Sequence, residues 1–519
     1  MKNRNNIIYL LVILLFFNSS CENYLDINQD PNLPTIVPAH RRVIGAITTS
    51  NGAAMWRGTR EVAGIMQYAT TGLATGANRN AETWRFTASY FLWQNAYVFT
   101  MPNCVDLIVL GEDEGNPHFV GAGKTLLAMN FGLLTDQYGD IVLDDYYDGR
   151  SQITLTPSFN TQQDVYQRID QLLDEAITAF QSPNPGPSLN FSNGDILYQG
   201  DIQKWIKFAW SLKARYLNHM SKKTSLYNPD AILTAVQNGF DGDGMDAEFA
   251  YIQGGQQTDE NPWFSWGGFT AADRINHRYF TWSQFFVDLL KHLPVTETQY
   301  TDPRIGIIMS PAESDGAFRG LKPGLGLAGG AGGSGEFTDQ ADYGVFPNGG
   351  FYTKPTSPMP FITYSELKFI EAEAQLRSGN AVAAFRAYEE GVKANMRKLG
   401  VEAAAINAYW IAHMEDGADT HFNDLTSGLS HIMRQKYITQ VLHPETWVDM
   451  RRMDYSQDIY GPSLQRPSNI NNVIFDINDP NQWIRAMVYE TNEQNRNGDQ
   501  IGDNSEQYRL LTPLWWDRP

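Results

Sequence analysis

The densest gathering of residues able to grip a ligand is "TDENPWFSWGGFTAADRINHR", residues 258–278. Trp263, Phe264, Trp266 and Phe269 stand there beside Asp259, Asn261, Arg274 and Asn276. Aromatic faces stack on apolar C–H patches, while amides, carboxylates and guanidinium groups hydrogen-bond to hydroxyls. That pairing on glycine-containing, irregular chain is chemistry for holding a polyhydroxylated molecule, not for breaking it. A second stretch, "ATGANRNAETWRF", offers Asn78, Arg79, Asn80, Trp84 and Arg85, and a third offers Tyr352 in "NGGFYTKP". Each large ring has a competing use as core packing.

Bond-breaking constellations are missing. "HFVGAGKTLL" contains a GKT, but a phosphate loop needs glycine where His118 stands, and the flanks read as helix. Gly324, Gly326 and Gly329 satisfy G-x-G-x-x-G without the preceding strand a dinucleotide fold requires. "DGDGMDAE" hints at calcium, yet Met245 falls where an oxygen ligand belongs and no glutamate closes the loop. At most an irregular calcium site through Asp241, Asp243 or Asp246 is left, and no other cofactor is expected. No histidine pair has zinc spacing, no G-x-S-x-G elbow occurs, and the carboxylates are too evenly spread to single out a glycosidase pair. No catalytic residue is assigned.

Helices must position these loops. In "TQQDVYQRIDQLLDEAITAFQ", Val165, Ile169, Leu172, Leu173, Ala176 and Phe180 form one stripe at spacings of three and four, with Thr161 and Asp164 as start signal. "QKWIKFAWSLKARYLNHM" repeats the pattern with Trp205, Phe208, Leu212, Tyr216 and Met220. Thr363 and Glu366 predict a capping box, a helix to about Arg377 and a turn at Ser378-Gly379-Asn380. A second helix then carries Ala383, Ala384, Ala387 and Tyr388, so the pair resembles a tetratricopeptide unit. Residues 184–199, 240–277 and 311–360 read as long irregular connections, and unstructured loops beyond about 15 residues are usually functional or disordered. The expected fold class is mostly α: a tetratricopeptide-like helical scaffold with long irregular loops and a few short β-hairpins, all one domain.

The first residues carry a different message. Lys2 and Arg4 precede the apolar run Ile7 to Phe17, too short for a span of about 20 residues. Ser19 and Ser20 lead into Cys21, as in a bacterial lipobox, although Asn18 replaces the usual leucine. Residues 1–20 are predicted to be a signal peptide and Cys21 the acylated first residue of the mature chain, followed by a short tether over about 21–35. Cleavage leaves only Cys104, so disulfides are excluded and the core alone must hold the fold. The formal charge of −19, or −21 without Lys2 and Arg4, argues against nucleic acid and against electrostatic docking on anionic lipid.

"FGLLTDQYGDIVLDD", "GDIQKWIKFAWSLKARYLNHM", "TDPRI", "PMPFITYSELKFIEAEAQLRSG" and "IMRQKYITQVLHPETWVDMRRMDY" follow one another in this order, with "NYLDINQDPNLPT" just after Cys21. Together they resemble the SusD/RagB family of outer-membrane nutrient-binding lipoproteins, its SusD-like branch, over essentially residues 21–519. The resemblance implies about four tetratricopeptide-like helix pairs, loops that carry the ligand, and a SusC-like TonB-dependent barrel as partner. It implies capture of a glycan, or in some members a peptide, outside the cell. It assigns Trp447, Arg451, Arg452, Gln435 and Lys436 to packing and buried ion pairs, and Trp93, Tyr97 and Asn103 to a helix whose end lies near the binding face. Acidic Glu22 and Asp26 behind the anchor look like this lineage's signal for surface display. The motifs fix none of the loop residues, which rest on residue type alone. A tethered glycan hydrolase and a ligand-free scaffold are the competing classes.

Overall fold

The computed structural model describes residues 37–72, 81–86, 91–150, 154–254, 259–265, 281–292, 300–328, 335–344, 350–415 and 417–519. The chain divides into two units, Met1–Pro38 and Ala39–Pro519. The predicted signal peptide, Cys21 and the tether lie outside the described residues. No described helix is long and apolar enough to cross a membrane.

Helices dominate the second unit. Among the described residues the longer ones are α1 (Ala39–Thr49), α2 (Met101–Asp113), α3 (Pro117–Tyr138), α4 (Gln162–Gln181), α5 (Ile202–His219), α6 (Pro229–Asn238), α7 (Gln284–Lys291), α8 (Tyr364–Arg377), α9 (Ala381–Lys398), α10 (Ala403–Glu415), α11 (Leu425–Thr439), α12 (Glu445–Arg452) and α13 (Thr491–Ile501). Packing runs α2 on α3, α3 on α4, α4 on α5, α5 on α6, α6 on α8, then α8 on α9 and α11. This is the tetratricopeptide-like stack. The predicted stripes face inward: Val165, Ile169, Leu172 and Phe180 are buried on α4, and Trp205, Phe208, Leu212 and Tyr216 on α5. Gly123, Lys124 and Thr125 of the GKT lie inside α3, whose N-terminus is capped by Asn116.

Caps follow the sequence signals, with one change. The Thr161 hydroxyl caps α4 through the amide of Asp164, and Thr363 caps α8 through that of Glu366 at 3.1 Å. The Glu366 carboxylate does not turn back to complete a box. It reaches across to α5 and accepts from Arg215 Nε at 2.7 Å and Nη2 at 2.8 Å, because a buried guanidinium without a carboxylate is far costlier than an unmade cap. Gly379 ends α8 at φ +78°, where its amide and that of Asn380 bond Leu376 and Gln375 carbonyls. Small residues then bring helices together: a Cβ on Gly391 would lie 3.1 Å from the Phe369 ring, and one on Gly132 would collide with Tyr216.

Charged residues of the recurring motifs are interior ties. Glu373 on α8 accepts from Arg452 at 2.8 and 2.9 Å, Arg377 at 2.9 Å and Asn218 at 2.8 Å. Arg452 also pairs with Asp449 at 2.6 Å, which meets Lys436 at 2.8 Å. Arg304 of "TDPRI" is fully buried, gripping Asp302, Asn395 on α9 at 2.8 Å and Gln435 on α11 at 2.6 Å. Arg451 lies 3.7 Å over the Trp447 ring and bonds backbone carbonyls. The packing role implied for Trp447, Arg451, Arg452, Gln435 and Lys436 is what the structure shows.

The few short strands pair across the chain rather than as hairpins. β1 (Ala69–Thr70) runs antiparallel to β3 (Thr281–Trp282), with Ala69 opposite Trp282 and Thr70 opposite Thr281. β2 (Ala247–Phe249) runs antiparallel to β4 (Met359–Ile362) with a register shift after Ala247. These ladders clamp loop ends onto the helical stack.

Candidate functional site

The far ends of the two aromatic-rich stretches, at Glu82 and Thr281–Ser283, meet on one segment. Residues 62–71 leave the short helix Trp56–Val62 as a buried segment. On one side this segment holds the return of the first stretch: β3 pairs with β1, the Ser283 amide bonds the Tyr68 carbonyl at 3.0 Å, and the Ser283 hydroxyl donates to the Gln67 carbonyl. On the other side it holds the second stretch. Glu82 accepts from the Thr70 hydroxyl at 2.8 Å and from the Gly324 amide at 2.9 Å. The loop 321–325 is sewn to both, through Leu321 with Trp282 and through Gly324 with Glu82, and Asn469 holds the Gly324 carbonyl. Gln67 and Trp84 hold left-handed backbone at φ +60° and +57°, a strain for residues with a Cβ that tends to gather at ligand sites.

Beside Gln67 and the end of β3 opens a cleft of about 380 Å³ lined by Gln67, Gln284, Phe285, Asp288, Lys322, Gln465 and Arg466 among others. Gln67 Nε2 donates to the Gln465 carbonyl at 2.6 Å, fixing the floor. Arg466 spends its donors on the carbonyls of Asp476, Ile477 and Gln482, bracing the rim. Lys322 is exposed, 3.8 Å from Glu336. Gln284, Gln465 and Ser463 supply amide and hydroxyl groups. Sequence reasoning missed these residues, since isolated glutamines and a lysine on distant loops carry no pattern. The Glu82-to-Arg85 end of the second stretch was the one available pointer.

Several proposed contact residues are placed differently. Trp84 has no exposed surface and packs against Phe475 at 4.9 Å and Trp483 at 5.3 Å, so its ring is a core ring and not a sugar platform. Trp263 is 3% exposed and meets Trp56 edge-on at 4.7 Å, and Phe264 is also buried. Their partners fill the space that a ligand would need. Asn261 is buried too, its amide spent on the Ser357 carbonyl at 2.9 Å and its carbonyl oxygen on the Trp263 amide. Asp259 is half-buried, with its carbonyl bonded by Ile252. Tyr352 is buried beside Phe351 and Asn395, where burial raises its hydroxyl pKa. The five buried residues, Trp84, Trp263, Phe264, Asn261 and Tyr352, are corrected from ligand contacts to interior supports. Arg85 is exposed and tied to the Asn469 carbonyl at 2.8 Å. Trp266, Phe269, Arg274, Asn276, Asn78, Arg79 and Asn80 lie outside the described residues.

The sequence profile of a family described as "Starch-binding associating with outer membrane" matches residues 41–477. The chain belongs to that SusD-like family. Its architecture agrees: a SusD/RagB family protein from Bacteroides thetaiotaomicron superposes with a TM-score of 0.71 at 21% identity, covering 93% of this chain and 99% of that one. A chitin-binding protein gives 0.70 at 20% identity over 92% and 99%, and a SusD homologue from Bacteroides vulgatus 0.71 at 19% over 92% and 98%. At these identities the likeness is one of fold. No curated protein matches the chain.

The irregular calcium site is not supported in this SusD-like chain. Asp241 pairs with Lys207 at 2.9 Å, Asp243 with Arg397 at 2.7 Å, and Asp246 with Lys398 at 2.6 Å, so each carboxylate already faces its own cation. Among the described residues, one group of possible metal ligands converges: buried Asp136, His219 and Glu445. Glu445 Oε2 lies 2.9 Å from His219 Nε2, Tyr166 bonds both His219 and Asp136, and Arg215 stands 3.7 Å from Glu445. The donors are used within the core and a guanidinium already supplies the positive charge. Burial pushes the Asp136 carboxyl up to about 6 even with His219 beside it.

Proposed function

We propose that the protein is a cell-surface lipoprotein that captures an oligosaccharide and passes it, unaltered, to a SusC-like TonB-dependent barrel in the outer membrane. The observation that carries the reading is the junction at which Glu82 and Thr281–Ser283 meet residues 62–71, with Gln67 and Gln284 of that junction lining a cleft of amide, hydroxyl and ammonium groups. Family members are binding proteins, described as starch-binding and associated with the outer membrane; one structural neighbour bears the name chitin-binding. In this reading Trp266, Phe269, Arg274, Asn78 and Arg79, outside the described residues, are further ligand contacts by residue type, and Gln284 and Lys322 offer hydroxyl-binding groups in the cleft. Acylated Cys21 supplies the tether. Hydrolysis is disfavoured: Asp288 is the one carboxylate among the described residues lining the cleft, and glycoside hydrolysis ordinarily takes two.

Titration calorimetry of the mature chain carrying Cys21→Ser, with maltohexaose, chitohexaose and a mixed tripeptide pool, tests the proposal. Saturable binding of a hexaose, weakened about tenfold in Gln284→Ala or Lys322→Ala by loss of one hydrogen-bonded group, is expected. Binding of the peptide pool alone would replace glycan by peptide, and release of new reducing ends from either hexaose would overturn the non-enzymatic reading.

A further inference from the structure

A larger cleft shares no residue with the one above. It measures about 880 Å³ and lies between the N-terminal end of α2, the loop 142–157 and the start of α13, inside the usual range of about 300–1,000 Å³ for small-molecule sites. Its floor is aromatic. The wide π-helical turn Asn95–Thr100, which leads into α2, turns Tyr97 and Val98 outward; such turns often mark functional positions. Tyr97 meets Tyr146 at 5.3 Å between ring centroids, and Tyr146 meets Tyr147 at 6.4 Å, so three partly buried rings run on without a break.

Each hydroxyl is spent inward. Tyr97 donates to the Val142 carbonyl at 2.8 Å, Tyr146 to the Tyr97 carbonyl at 3.1 Å and Tyr147 to Asp106 at 2.7 Å. The rings are therefore fixed before any ligand arrives, which removes an ordering cost of binding. Trp93 backs them, stacked at 11° on Phe159.

The rim decides the class of ligand. Asp145 is held by Ser158, Glu490 caps α13 through the amides of Asn492 and Glu493, and Asp106 already binds Tyr147 and Arg42. These carboxylates keep the opening negative and repel polyanions. Arg496, one turn beyond Glu493, is exposed and has no partner among the described residues, leaving its donors for neutral hydroxyls; Asn492 adds an amide. A row of locked phenol rings below, with the unspent Arg496 guanidinium above and beside it the Asn492 amide, whose nitrogen bonds Glu490 at 3.2 Å, suits a neutral sugar chain better than an apolar peptide. We infer that the cleft formed by Tyr97, Tyr146, Tyr147, Asn492 and Arg496 is a second carbohydrate subsite for neutral oligosaccharide, separate from the loop cleft.

Hydroxyl-radical footprinting of the mature Cys21→Ser chain with saturating maltohexaose or chitohexaose tests this, alongside calorimetry with the matching tetraoses. Protection of Tyr146 and Tyr147 is expected, with two sites per chain. The surface variant Arg496→Ala should weaken the second site about tenfold, the scale of one charged hydrogen bond, and leave the first unchanged; Tyr146→Ala should abolish the second. Protection confined to the loops around Gln67 and Lys322 would overturn the second subsite while leaving the loop cleft standing. Protection nowhere would overturn both.

Discussion

Replacing Glu373 by glutamine isolates what the buried charges do for the scaffold. The change keeps the volume and removes one negative charge from a site with no exposed side-chain surface. In the native chain that carboxylate accepts from Arg452 through two nitrogens, from Arg377 and from Asn218, four donors in all. A glutamine oxygen cannot serve all four, and its NH₂ would point a donor at other donors. Arg452 would be left with Asp449 and the Asn218 carbonyl and Ser221 hydroxyl as acceptors. Breaking a buried pair in this way costs about 3–5 kcal/mol. Unfolding entropy of about 2.1 cal/mol/K per residue, summed over the roughly 480 residues of Ala39–Pro519, gives about 1 kcal/mol/K. The Glu373→Gln melting temperature at pH 7 should therefore fall by about 3–5 °C in calorimetry. Acid supplies an internal control. Burial opposes the Glu373 charge, but Arg452 and Arg377 overcome it and hold the carboxyl well below the usual range. The stabilisation is complete above the unfolded value of about 4.3 and fades as pH drops toward the lower folded value, so the gap between wild type and variant should narrow below about pH 4. A drop under about 1 °C at pH 7, or a gap that widens in acid, would refute the assignment of these charges as interior ties.

Gly132→Ala should lower the melting temperature by about 1–3 °C, because the new methyl meets Tyr216 where α3 crosses α5 and overpacking costs about 1–3 kcal/mol; an unchanged melt would mean the helices have room there. Burial pushes the Cys104 thiol up to about 12, so only about one molecule in ten thousand carries the reactive thiolate at pH 8. Native Cys21→Ser protein should resist maleimide until denatured, and prompt native labelling would contradict the burial. Trp84→Ala should cost about 3–5 kcal/mol of stability through its lost contacts with Phe475 and Trp483; full stability with impaired sugar binding would return that ring to the ligand site. Cys21→Ser should leave a folded protein that stays in the aqueous phase on detergent partition, and recovery in the detergent phase would dispose of the lipid anchor.

The scaffold was legible because its signals are local. Val165, Ile169 and Leu172 announce a buried stripe within eight residues, and Thr161 and Thr363 are read as caps from their immediate neighbours. Loop residues offered no such help. Trp84 and Trp263 look alike on the page whether a sugar or another ring covers them, and the rings that cover Trp84 lie almost 400 residues away at Phe475 and Trp483. Glu366 looked like half of a cap because the spacing fits, while its true partner, Arg215, sits on a different helix. Tyr146 and Tyr147 stand among aspartates in "LDDYYDG" with no pattern to single them out; only the arrival of α13 beside them shows a cleft.

The paired anchoring of both loop ends on residues 62–71 bears on how such a protein changes its diet. Residues 73–80 follow one strand of the Ala69–Thr70 and Thr281–Trp282 ladder and residues 266–280 precede the other, so each can be exchanged for a segment of different length without disturbing the stacked helices. Transplanting residues 73–80 and 266–280 together from a relative, with Glu82 and Ser283 left in place, should carry the donor's appetite onto an unaltered chassis.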